Sequence, residues 1–170
     1  MKKLFYLALA ALLLLALTAC EGKEVGSVTD IVKGVLEDNE MTSGSVYTSE
    51  STVAGEYLDE DMIASYYGSI VDAPDFSLIE EYCVYIDDKN PLLQTEIGIF
   101  KVIDSKNNSM IKEFIERRRD GILENARNYP SVDTEPFDNI VIETVGSYTY
   151  YVAVKENRSE IDGRLKEALS

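Results

Sequence analysis

The N-terminal stretch of this chain limits which residues can belong to a folded domain. One methionine and two lysines are followed by residues 4–19, which are apolar or aromatic except for Thr18. A short basic start, an apolar segment and small residues at its end are the layout of a secretory signal peptide. The apolar segment is shorter than the roughly 20 residues that a membrane-spanning helix needs. We therefore expect residues 1–19 to be a signal peptide, and the folded part to follow it.

The end of this stretch indicates a lipid anchor. The segment Leu17-Thr18-Ala19-Cys20 resembles the lipobox of bacterial lipoproteins. The resemblance implies cleavage after Ala19 and a diacylglyceryl group on Cys20, which would anchor the protein stably because two acyl chains are buried in the membrane. Residues 20–26 would then be a lipidated tether, and residues 27–170 a single domain outside the cell, on the outer face of the cytoplasmic membrane. The alternatives are an uncleaved anchor and a soluble secreted protein.

Composition excludes several classes of function. The chain of 170 residues has 31 acidic and 16 basic residues, a formal net charge of −15. Such an acidic surface repels nucleic acid, so we expect no nucleic-acid partner. The sequence has no histidine, which excludes Ser-His-Asp and Cys-His catalysis and zinc sites with histidine ligands. If Cys20 carries lipid, Cys83 has no partner for an intrachain disulfide, and its apolar surroundings predict a buried, inert thiol.

Hydrophobic periodicity predicts the helices and strands. Helices are expected where apolar residues recur every three or four positions, at about 27–38, 59–66, 109–127 and 158–169. Strands are expected where β-branched and aromatic residues concentrate, at 81–86, 95–103, 139–145 and 148–154. Residues 41–55 are rich in Ser, Thr and Gly and predict a loop, with room for one extended stretch around Val46-Tyr47.

The order of these elements predicts an α+β fold. We expect a four-stranded antiparallel sheet in ββαββα order, preceded by two additional N-terminal helices. The helices are expected to pack on one face of the sheet.

Four local patterns in the domain occur together. They are Tyr66-Tyr67-Gly68 after a short helix, the strand segment 96–101, Arg118 upstream of Tyr129-Pro130, and Gly146-Ser147-Tyr148 before an apolar strand. In these patterns the chain resembles a family of small lipoproteins of Gram-positive bacteria, domain of unknown function 4358. The resemblance covers most of the chain after the signal peptide. It implies a location and a fold layout but no reaction, because the family has no assigned activity.

Motifs for chemistry are weak. The segment 109–112 matches the S-x-x-K motif of penicillin-binding enzymes, but the S-D-N and K-T-G partner motifs are absent. The acids at 59–61 and 87–88 could supply oxygens to calcium, but the EF-hand spacing is absent. We therefore expect no catalytic residue, metal site or cofactor. The domain is interpreted as a non-catalytic binding or accessory module of the cell envelope, with an envelope protein or a small ligand as partner. The alternative is a carboxylate-based hydrolase or a weak calcium-binding protein.

Arg118 and Glu96 are the candidate site within the domain. Arg118 falls at the centre of the apolar face of the third predicted helix. A guanidinium there must either extend past its neighbours to water or meet an acid. Glu96 begins the apolar run of the preceding strand and is the nearest acid in that run. We hypothesise a partly buried, bidentate ion pair that holds helix to sheet; the alternatives are an Arg118 side chain that reaches solvent, and one that binds an anionic ligand.

Overall fold

The computed structural model describes residues 25–68, 70–90 and 92–170. Cys20, the predicted signal peptide and most of the predicted tether lie outside these ranges. Within them, the α-helices are α1 (Val28–Asp38), α2 (Glu60–Tyr67), α3 (Asn108–Ala126), α4 (Glu135–Asp138) and α5 (Arg158–Ala168). The strands are β1 (Ser45–Thr48), β2 (Ile79–Ile86), β3 (Glu96–Val102), β4 (Val141–Val145) and β5 (Tyr148–Ala153). None of the helices in the described ranges is long and apolar enough to span a bilayer.

The strands form one antiparallel sheet in the order β1-β2-β3-β5-β4. The α+β class and the antiparallel sheet are thus confirmed. β4 and β5 form a hairpin whose turn contains Gly146, with a φ of 57°. That left-handed conformation costs glycine little because it has no Cβ atom. The last strand of the chain, β5, lies in the interior of the sheet between β3 and β4.

The prediction of four strands is wrong by one. The additional strand, β1, lies in the segment predicted as a loop, at the extended stretch expected around Val46-Tyr47, and these two residues pair with Tyr85 and Val84 of β2. β1 has only 4 residues, and so short a strand among Ser, Thr and Gly gives little alternation to detect. These residues form a strand because they pair with the long strand β2, and the local sequence does not predict that pairing.

The prediction that the helices cover one face is also wrong. α1 and α5 pack on the face that presents Ile97 and Ile99, whereas α2 and α3 pack on the face that presents Phe100 and Val102. Successive side chains of a strand point to opposite faces, so an apolar run without polar interruptions indicates burial on both sides. β2, β3 and β5 each contain such a run.

Candidate functional site

A buried ion pair joins α3 to β3. The side chains of Arg118 and Glu96 lie on the same face of the sheet and are 8% and 1% exposed. Arg118 Nε donates to both carboxylate oxygens of Glu96, at 3.1 and 3.3 Å, and Nη2 donates to Oε1. Arg118 points to the sheet because it is four residues from both Phe114 and Ile122, which are buried on the same side of α3. The structure therefore brings together the two residues singled out in the sequence, and Arg118 is buried against Glu96 with only a small part of its surface accessible.

The end of α2 completes the surroundings of Arg118. Its Nη1 donates to the carbonyl oxygen of Tyr66. The rings of Tyr66 and Tyr67 have their centroids 5.3 and 5.8 Å from the guanidinium carbon, within the range of cation–π interactions. Gly68 follows with a φ of 82° and ends the helix. The Tyr-Tyr-Gly pattern thus places one carbonyl group and two aromatic rings against the arginine.

Tyr151 on β5 reaches the same carboxylate. Its hydroxyl donates to Glu96 Oε2 at 3.3 Å. Tyr151 is paired with Gly98 across the two strands, and a Cβ atom at Gly98 would lie 2.3 Å from the Tyr151 ring. The missing side chain therefore gives the ring the space it needs beside Glu96. Sequence reasoning missed Tyr151, although a glycine inside a strand is a signal of such a close approach.

The ionisation states in this network follow from burial and charge. Burial by itself would lower the pKa of Arg118, but the charge of Glu96 and its hydrogen bond raise that pKa above its ordinary value. Burial raises the pKa of Tyr67 and of Tyr151, and the negative charge of Glu96 adds to the effect. Both phenols therefore stay protonated, and Tyr151 can donate to the carboxylate.

A cleft of about 400 Å³ opens beside Arg118. Its walls come from the C-terminal half of α3, the segment before β3 and the loop after α3. The backbone N–H of Asp133 holds the two loops together by donating to the carbonyl of Leu92 at 2.7 Å. The cleft is lined by apolar, polar uncharged and cationic side chains: Leu92, Gln94, Arg118, Ile122, Asn125, Ala126, Tyr129, Ser131 and Val132. A volume of this size, largely apolar walls and a few polar groups are typical of sites for small ligands.

The rim and the charge of this cleft are distinctive. Leu92 and Tyr129 are 54% and 65% exposed, so two large apolar side chains face solvent at its edge. Arg118 is the charged member of the described lining, and no Asp or Glu belongs to it. The described lining of the cleft is therefore free of acids in a chain whose net charge is −15.

A second cleft, of about 360 Å³, has the opposite character. Its lining includes the acids Glu40, Asp87 and Glu156 together with Lys155. Ser43 donates to Asp87 Oδ2 at 2.8 Å, whereas Oδ1 is buried without a hydrogen-bond partner among the described residues. An anion would be repelled here, so the two clefts differ in the charge of the molecule that each could accept.

The other residues considered for catalysis or metal binding are not suited to these roles. Cys83 is a free, buried thiol on β2, as expected, and burial raises its pKa to about 12. A protonated thiol is a poor nucleophile. Ser109 and Lys112 of the S-x-x-K match are both exposed on α3. Within the ranges that the structure describes, no three His, Cys, Asp or Glu side chains are grouped so that they could hold a metal ion.

Comparison with known proteins places the network and the first cleft within one family domain. The family described as a domain of unknown function (DUF4358) matches residues 47–154. This range contains Tyr66, Glu96, Arg118 and Tyr151 and all of the residues that line the first cleft. Neither a curated protein nor a solved structure matches the chain.

Proposed function

We propose, on the premise that this chain belongs to the DUF4358 family, that it is a non-catalytic module that binds a small ligand in the cleft beside Arg118. The observation that carries the proposal is the cleft itself. It combines a volume of about 400 Å³ with apolar walls, carboxamide and hydroxyl groups, and a buried arginine. The cleft and the network lie within the range that the family match covers, so the proposal concerns the part of the chain that defines its family.

The lining of the cleft favours binding over catalysis. Ser131 supplies a hydroxyl, but the described lining has no Asp, Glu, Lys or Cys, and the sequence has no histidine. A serine nucleophile needs a base within hydrogen-bond reach, and general acid–base catalysis needs a group that titrates near the working pH. Arg118 stays protonated because Glu96 raises its pKa. These side chains can therefore orient a ligand, and the hydroxyl of Tyr129 is the one group of the described lining, besides Ser131, that could exchange a proton.

We also propose that the module works at the outer face of the cytoplasmic membrane, held by a diacylglyceryl group on Cys20. The signal-like N terminus and the lipobox-like segment before Cys20 support this location. α1 begins at Val28, so the intervening segment could span at most about 28 Å if fully extended. The domain would therefore work close to the membrane surface, where its ligand or an envelope partner would be met.

Ligand-detected NMR tests the binding function. The full chain, purified in detergent, would be screened against a library of small molecules by saturation transfer. Leu92→Ala removes part of the rim of the cleft, and Ile103→Ala is its control, because Ile103 is a branched aliphatic residue of similar exposure (63%) outside the cleft. We expect compounds whose binding is weakened by the first change and not by the second. A screen without binders, or with binders indifferent to Leu92→Ala, would contradict the proposal.

A further inference from the structure

We infer that the ligand of this cleft is a monocarboxylate with a compact apolar body, whose carboxylate is bound by Arg118. The inference rests on the proposed binding function and names the class of molecule that the site would take. Three features of the site support it: the presence of Arg118 but not Glu96 in the lining, the donors of the guanidinium, and the division of the lining into apolar and cationic parts.

The lining of the cleft contains the positive member of the ion pair. Arg118 belongs to the lining of the cleft, whereas Glu96 does not and is only 1% exposed. Glu96 also accepts a hydrogen bond from the Tyr151 hydroxyl. A ligand group that contacts the guanidinium from the cleft would be nearer to it than to the carboxylate, and the electrostatic potential of the pair at that group would be positive.

The guanidinium has donors beyond those that hold the network. An arginine side chain carries five N–H groups in a fixed plane, two of them on each terminal nitrogen. Among the described residues, Nη2 donates to Glu96 and Nη1 donates to the carbonyl of Tyr66. Each terminal nitrogen thus retains a second hydrogen for an acceptor oxygen. Arginine and carboxylate groups match in geometry, because both are planar and can form two parallel hydrogen bonds.

The rest of the lining suits an apolar body. Ile122 and Val132 line the cleft, and Leu92 and Tyr129 extend its apolar surface at the rim. No acid in the described lining repels a carboxylate, in contrast to the second cleft, where Glu40, Asp87 and Glu156 would. A ligand with a single negative charge at one end and an apolar remainder therefore fits the arrangement of the lining side chains.

The gain in affinity that a negative charge would give a ligand of this cleft can be estimated. We take a carboxylate about 4 Å from the guanidinium and about 7 Å from Glu96, at an effective dielectric constant of about 20. The attraction to the guanidinium then exceeds the repulsion from Glu96. Part of this difference is offset because the carboxylate loses hydration. What remains corresponds to about a tenfold gain in affinity over a neutral molecule of the same shape. An ammonium group at the same place would be repelled by a similar factor.

Three probes with the same ring test the inference: benzoate, benzamide and benzylamine. Their dissociation constants would be measured by saturation-transfer NMR at pH 7 and low salt. The protein is the full chain in detergent, with Leu92→Ala and Ile103→Ala as the cleft variant and its control. We expect benzoate to bind about tenfold more tightly than benzamide, with benzylamine weakest. The benzoate affinity should fall several-fold in Leu92→Ala and stay unchanged in Ile103→Ala.

The outcomes separate this inference from the function on which it rests. If benzamide or benzylamine binds as tightly as benzoate and Leu92→Ala weakens that binding, the carboxylate is refuted while the cleft remains a binding site. If none of the probes binds at millimolar concentration, the inference is refuted, and the library screen decides the binding function separately. If the probes bind but Leu92→Ala leaves every affinity unchanged, both the inference and the cleft as the binding site are refuted.

Discussion

Replacing Arg118 by methionine should destabilise the fold far more than replacing a surface arginine of the same helix. Methionine keeps much of the length and the apolar character of the side chain but removes the guanidinium. Glu96, only 1% exposed, would then keep the Tyr151 hydroxyl as its remaining side-chain hydrogen bond among those that the structure describes. The carbonyl of Tyr66 would lose the bond from Nη1. The change therefore leaves a buried charge without its counter-ion.

The magnitude follows from burial. Removing one member of a buried, hydrogen-bonded pair costs about 3–5 kcal/mol, because the other charge stays buried. Arg119→Met is the control: Arg119 pairs with Asp120 at 2.8 Å, and their side chains are 33% and 67% exposed. An exposed pair of this kind contributes at most about 1 kcal/mol. The two neighbouring arginines should thus differ several-fold in the free energy of unfolding that each substitution removes.

A double-mutant cycle separates the pair from the packing around it. Urea unfolding followed by circular dichroism would give the free energies of unfolding of Arg118→Met, Glu96→Gln and the double variant. We expect the double variant to lose at least about 2 kcal/mol less than the sum of the single losses, because neither charge is then left alone. Additive losses, or a loss in Arg118→Met no larger than in Arg119→Met, would refute the buried pair as a stabilising contact.

Three further predictions concern other parts of the chain. Gly98→Ala should destabilise the protein by about 2 kcal/mol or more in the same assay, because its Cβ would lie 2.3 Å from the Tyr151 ring. The control is Gly121→Ala on α3, whose Cβ would meet nothing within 4 Å and which should be neutral or stabilising. Equal effects of the two substitutions would contradict the close approach of Tyr151 to Gly98. The Cys83 thiol should resist maleimide labelling in the native protein and react after unfolding, since it is buried with a pKa raised to about 12; rapid native labelling would show that it is accessible. The wild-type protein should partition into the detergent phase of Triton X-114 and Cys20→Ser should not; an unmodified Cys20 in protein recovered from membranes would refute the lipid anchor.

The sequence could predict those parts of the site that depend on periodicity. Arg118 stands out because helical spacing places it on the apolar face of α3, and Glu96 because it begins the run of the neighbouring strand. Tyr151 could not be identified in the same way, since its contact with Glu96 depends on which strand becomes the neighbour of β3. That neighbour is β5, which is distant in the chain. The cleft was also beyond prediction, because its walls meet through a backbone contact between two loops.

The fold was predictable to a similar extent and for related reasons. Long elements with clear periodicity were assigned, such as α3 at Asn108–Ala126 against a predicted 109–127. For β1 only an extended stretch around Val46-Tyr47 was expected, and its membership of the sheet was not, because that depends on pairing with β2. The error about the faces arose at the central strands, where the apolar run of β3 already indicated burial on both sides. Local patterns thus identify elements, while sheet order and loop contacts depend on the whole chain.

The position of β5 within the sheet has a consequence for the order in which the protein can fold. During synthesis from the N terminus, β2 and β3 can pair as soon as Val102 has emerged, but β3 has no second neighbour until Tyr148–Ala153 is available. For that interval the open edge of β3 exposes unpaired backbone groups next to apolar side chains, which is a template for association between chains. Glu96 also lacks the Tyr151 hydroxyl until then. Premature termination before residue 148 should therefore yield a chain that aggregates instead of a smaller stable domain.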